Sequence, residues 1–137
     1  VEYRLHAPRL ARMRTQAGVS ELVLPAQFPI LLSRNYVAVA RRSLPLLLQY
    51  LLPTTMDSHI SLPKGARIER TAPALELSEP GRFVQRAVAG KDASSLDVHV
   101  EAELPLRRIS PDQFPAFVEM ASRMDAAQES VAVISVP

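Results

Sequence analysis

Apolar and polar residues alternate most regularly between Ser95 and Leu104. Leu96, Val98, Val100, Ala102 and Leu104 fall on one side of an extended chain, and Asp97, His99, Glu101 and Glu103 on the other. This period of two predicts a half-buried antiparallel strand. Arg82–Ala89 precedes it across a loop containing Gly90-Lys91-Asp92, and together they predict a hairpin. Upstream, Ser58–Pro63 alternates in the same way, and Pro63-Lys64-Gly65 marks a turn, because proline presets φ and glycine permits φ > 0. Ala66–Thr71 and Leu75–Leu77 are short strands separated by Pro73. Leu44–Leu52 is a near-continuous apolar run with Pro45 near its start, which suits a buried strand.

The N-terminal third is less regular. Val1–Ala7 alternates weakly, as an edge strand would. Arg9–Ala17 places Leu10 and Met13 on one side of a helical turn or two that Gly18 ends. Val19–Leu24 reads as a strand ended by Pro25. Phe28–Leu32 is apolar around Pro29, and Tyr36–Arg42 reads as a strand.

Helical spacing comes late. Ser110-Pro111-Asp112-Gln113 is a helix start, with serine as N-cap, proline at the first position and glutamine placed to reach back. Phe114, Phe117, Val118, Ala121 and Met124 then mark an apolar face, and Asp125 lies at its solvent edge. Pro115 falls just past the free first turn and is expected to cost one backbone bond. Val131–Val136 alternates as a last strand. The pattern as a whole predicts a mainly β fold: an antiparallel β-sandwich with one C-terminal-region α-helix, about 111–128, and a final strand.

Composition agrees with this class. The 137 residues suit one domain with a real core, and 47% are apolar. Twelve prolines and four glycines favour strand starts and turns over long helices. The sequence contains no cysteine, which excludes disulfides, thiolate metal sites and a cysteine nucleophile within it. No run of about 18 apolar residues predicts a transmembrane segment, and Val1–Arg14 lacks the apolar core of a signal peptide.

Charge divides the chain. Seven arginines face only Glu2 and Glu21 up to Arg42, whereas acidic residues outnumber basic ones beyond it. The expected division is a basic segment or linker over residues 1–18 and a β-sandwich domain over 19–137. Arg4, Arg9, Arg12 and Arg14 are the candidate interface residues, facing an upstream domain or a second copy of the chain. Tyr3 is the only aromatic residue among them, so nucleic acid is not expected as a partner.

Three segments carry a family resemblance: R-R-S-L-P-L-L-L (Arg41–Leu48), I-S-L-P-K-G-A-R-I (Ile60–Ile68) and I-S-P-D-Q-F-P-A-F (Ile109–Phe117). In this order, over roughly Val19 to Val136, the chain resembles the C-terminal β-sandwich domain of bacterial transglutaminase-like proteins. In these proteins an N-terminal β domain of unknown function precedes a transglutaminase-like core. The resemblance implies an accessory domain whose catalytic neighbour lies outside this sequence, and a periplasmic or cell-envelope setting. The core's Cys, His, Asp triad has no counterpart here.

Candidate chemistry is sparse. His59, His99 and Glu101 are candidate metal ligands if their strands adjoin, but no His-x-His or His-x-x-x-His pair supports a zinc site. Asp97, Glu101 and Glu103 share one strand face, where carboxylates serve acid–base work or pair with arginines such as Arg82, Arg86 and Arg70. Phe114, Phe117, Met120 and Met124 read as core, with a partner groove as the alternative. No serine lies in a nucleophile-elbow frame.

The sequence therefore predicts no catalytic residue, no cofactor and no metal. The expected function is a soluble, non-catalytic structural or protein-interaction domain whose partner is an upstream domain of the same polypeptide, another protein or a homo-oligomer. The rival expectations are a stand-alone envelope module that binds protein or carbohydrate, and a small hydrolase with an unrecognised site.

Overall fold

A computed structural model describes residues 11–16, 19–26, 29–49, 51–79 and 81–136. Within them lie β1 (Arg12–Gln16), β2 (Val19–Leu24), α1 (Leu32–Tyr36), β3 (Leu46–Leu48), β4 (Leu51–Ser61) and β5 (Arg67–Thr71). They are followed by β6 (Leu75–Leu77), β7 (Arg82–Ala89), β8 (Ser95–Leu104), β9 (Arg107–Ile109), α2 (Phe114–Glu129) and β10 (Ala132–Ser135). The fold is mainly β and its ladders are antiparallel, with a long late helix and a final strand as the sequence pattern predicts.

Two four-stranded sheets, ordered β1-β2-β10-β5 and β4-β8-β7-β6, are accompanied by the two-stranded ribbon β3-β9, whose strands lead into β4 and out of β8. The late strand β10 enters between β2 and β5, so the end of the chain closes the first sheet. Consecutive strands β5 and β6 lie at the edges of different sheets. Pro73, between them, cannot donate to a ladder, and the chain changes sheets there. The predicted hairpin forms in full, with Arg82 opposite Glu103 and Ala89 opposite Leu96. Gly65 has φ 91°, the left-handed conformation its predicted turn requires.

One core collects Leu24, Ala132 and Ile134 from the first sheet, Phe83, Leu96 and Leu104 from the second, Leu46, Leu48 and Ile109 from the ribbon, and Phe114, Phe117, Ala121 and Met124 from α2. The helix lies over the inner face of the second sheet. Buried Gln85 ties them together, its Nε2 donating to the Ala127 carbonyl at 2.7 Å. Gly81 lets the start of β7 approach β8 closely, since a Cβ there would collide with the Glu103 carbonyl and with Pro105.

Four local expectations are corrected. Helical turns were expected within Arg9–Ala17, but Arg12–Gln16 is a strand, because pairing with Val19–Val23 of β2 satisfies its backbone. Tyr36–Arg42 was expected as a strand, but Tyr36 instead ends a second, short helix, α1, and residues 37–42 are irregular. Its aromatic ring packs edge-on against Phe117 at 6.4 Å, and Arg42 lies over the Phe114 ring at 5.6 Å, so side-chain docking on α2 decides this segment. Leu44–Leu52 is not one buried strand. It splits into β3 and the start of β4, with Leu46 and Leu48 buried and Leu44, Leu47 and Leu52 exposed.

The fourth correction concerns the start of α2. Ser110 and Gln113 do make the reciprocal bonds of a capping box, Ser110 N–H to Gln113 Oε1 at 3.1 Å and Gln113 N–H to Ser110 Oγ at 3.4 Å. They close a tight turn ahead of the helix, which begins at Phe114. Pro115 therefore sits in the first turn, where its missing N–H costs no helical bond. The edge strand expected over Val1–Ala7 lies outside the described residues.

Candidate functional site: the charged face of the second sheet

The outer face of β4-β8-β7-β6 gathers the charged residues that alternate with the core. Register brings them together. Asp57 on β4 stands opposite His99 on β8, and His59 stands opposite Asp97. Two His–Asp pairs thus sit crosswise on neighbouring rungs, at the spacing where facing side chains interact.

His99 is the centre of the group. Its Nδ1 lies 2.6 Å from Asp57 Oδ1 and its Nε2 lies 3.0 Å from Glu101 Oε1. Carboxylates only accept, so both contacts are made when both ring nitrogens carry protons. The Asp57 bond first, and then the Glu101 bond, hold the imidazolium above its ordinary pKa. Glu101 is shifted down in turn, by the His99 bond first and by the Arg82 bond next. Arg82 reaches past Glu103, its directly opposite residue, and bonds Glu101 Oε2 through Nε at 2.9 Å. The same guanidinium lies 3.4 Å from Glu76 on β6, and Arg86 lies 4.0 Å from that carboxylate. A chain of charges therefore crosses all four strands.

His59 and Asp97 form a separate pair at 2.7 Å, with side chains 62% and 64% exposed, where water screens the attraction. His59 and His99 therefore turn to different carboxylates. Among the described residues, no group of three His, Asp or Glu side chains converges on a point where a metal ion would sit. Of the carboxylates considered for acid–base work, Asp97 is bonded to His59, and Glu101 to both His99 and Arg82. Arg70 lies on β5, in the other sheet. The arrangement favours the protonated form of His99 and links β4, β8 and β7 through their side chains.

Arg12 and Arg14 are exposed on β1, the outer strand of the first sheet, while Arg4 and Arg9 lie outside the described residues. Phe114, Phe117 and Met124 are core, and Met120 is half-buried. Asp57, which completes the His99 group, was not singled out from the sequence. Its signal was its place one residue before the clean alternation of Ser58–Pro63, but only the β4–β8 register connects it with His99.

No helix among the described residues is long and apolar enough to cross a membrane. Neither a curated protein sequence nor a solved structure matches the chain. The model of one family, described as a domain of unknown function with solved structure, matches residues 20–134, which take in the second sheet, the ribbon, both helices and the first sheet apart from β1. The chain belongs to that family, DUF3858.

Proposed function

We propose that the chain is a non-catalytic structural and protein-interaction domain, the C-terminal accessory module of a larger transglutaminase-like bacterial protein of the cell envelope. Its partner is the upstream domain of the same polypeptide. The observation that carries this reading is the apolar surface around the β3–β9 ribbon. Leu44, Leu47, Leu52 and Leu106 are 72%, 57%, 66% and 67% exposed. Leu47 faces outward between buried Leu46 and Leu48, and Leu106 immediately precedes the partner strand β9. Large apolar side chains left exposed beside the ribbon favour association. Two of the three segments that carry the family resemblance, Arg41–Leu48 and Ile109–Phe117, meet at this ribbon, where Leu46 pairs with Ile109.

Hydrogen exchange on the 137-residue chain and on the natural protein that contains it tests the proposal. Protection gained over residues 44–49 and 104–109 in the longer protein is expected, and its loss in a Leu47→Asp, Leu106→Asp variant. Equal exchange in both proteins would remove the interface. Amide hydrolysis or acyl transfer by the isolated chain that disappears in His99→Gln would overturn the non-catalytic assignment.

A further inference from the structure

A groove runs between α2 and β6. One end is a cavity of about 470 Å³ walled by Arg70, Pro73, Leu75, Arg123 and Ala126. The other is a cavity of about 490 Å³ walled by Leu77, Ile109, Ala116, Met120 and Arg123. Arg123 belongs to both, so the two are consecutive stretches of one groove. Each has the volume of a ligand site, and together they follow the strand rather than forming one compact hole.

The two walls differ in kind. β6 is the outer strand of its sheet: it pairs with β7 on one side and, among the described residues, with no strand on the other. A free strand edge presents backbone N–H and C=O groups that an added strand satisfies. The opposite wall is helical. Ala116, Met120, Arg123 and Ala127 follow spacings of four and three, which places them along one face of α2, and Ser130 caps its end. Small side chains at most of these positions leave room for a further backbone beside β6.

Charge specifies the occupant. Glu76 and Glu79, on the strand side, are already engaged by Arg82 and Arg107. Arg123 and Arg70 have no carboxylate partner among the described residues. The groove is thus mainly apolar at its Arg70 end and mixed at the other, where Glu76, Glu79, Arg107 and Gln113 join Leu77, Ile109 and Met120, and the arginines without a carboxylate partner among the described residues stand at its middle and at its apolar end.

We propose that the groove binds an extended, acidic and apolar peptide segment of a partner protein, which adds to the β6 edge as a further strand and sets a carboxylate against Arg123. The groove meets the ribbon at one end, through Arg107 and Ile109 of β9, and its test does not involve an upstream domain. Select a displayed library of random peptides of about ten residues on the 137-residue chain, and in parallel on Ala126→Trp, whose exposed position allows the indole to fill the groove without touching the core. Measure the enriched peptides by fluorescence anisotropy. Strand-forming sequences with acidic residues are expected on the wild type alone. Arg123→Glu should weaken them on the order of tenfold or more, with its far-UV circular dichroism and melting temperature unchanged. Equal enrichment on Ala126→Trp, or enrichment of basic or helical sequences, would overturn the proposal. So would a dimer of the chain that Ala126→Trp dissociates in sedimentation, since a second copy would then be the occupant.

Discussion

The side chain of Gln128 pairs with the backbone of Ile30 as a neighbouring strand would. The Ile30 N–H donates to Gln128 Oε1 at 2.7 Å, and Gln128 Nε2 donates to the Ile30 carbonyl at 2.9 Å. The same amide nitrogen also bonds the Met124 carbonyl one turn back in α2, at 3.1 Å. Gln128 is 2% exposed, so a residue near the end of the long helix holds the entry to α1 from inside the protein. Three residues earlier, Asp125 completes the attachment. Its carboxylate accepts from the N–H groups of Leu32 and Ser33, at 2.9 and 3.0 Å, at the start of a helix whose N-cap residue, Leu31, offers no side-chain bond.

Replacing Gln128 by Leu should destabilise the fold by about 2–4 kcal/mol. The substitution keeps much of the volume but leaves the Ile30 N–H and C=O without partners, and each such group costs roughly 1–3 kcal/mol when it stays dry. Urea unfolding of both proteins measures the difference. Equal midpoints would mean that the Ile30 backbone finds water instead.

Removing the remote cap should act more locally. Asp125→Ala is expected to cost about 1–2 kcal/mol, the range for a helix-capping side chain, and to speed hydrogen exchange at Leu32 and Ser33 more than in β7 or β8. Asp125→Asn keeps one acceptor and should fall between the two. Uniform acceleration throughout the chain would indicate global loosening rather than release of α1.

Phe117 lies 4% exposed between Tyr36 and Phe114. Truncation to alanine should cost about 3–5 kcal/mol through lost burial and an unfilled cavity. A melting curve that does not move would show that the helix face collapses to fill the space.

The His99 group should make stability depend on pH in a definite direction. Its folded pKa is raised, so its contribution is fully present below the ordinary histidine pKa of about 6.5 and is lost as pH rises through the folded value. Glu101 is shifted the other way, and its contribution is present above the ordinary carboxylate pKa and lost as pH falls through the lowered one. The urea midpoint of the wild type should therefore decline from pH 6 into the weakly alkaline range, and His99→Gln should flatten this slope. A variant with the wild-type slope would assign the dependence to another group.

Much of this architecture was legible in the chain because it depends on local rules. The alternation over Ser95–Leu104 reports a strand with one wet face whatever the other strands do, and the Ser110–Gln113 box forms its reciprocal bonds from side chains three residues apart. Tyr36–Arg42 was misread for the opposite reason. Its β-like composition is outweighed by contacts with Phe114 and Phe117, which lie some eighty residues away in sequence.

The charged face divides along the same line. Sequence alone determined that Asp97, His99, Glu101 and Glu103 would share the outer side of one strand, because the side-chain period of a strand is two. Only the tertiary structure decided that Asp57 would stand opposite His99, that Arg82 would choose Glu101 over Glu103, and that Asp125 and Gln128 would turn inward to hold α1. Periodicity is set residue by residue along the chain. Strand register and helix docking are set by the whole buried surface at once, and a polar side chain finds its partner only after that surface has closed.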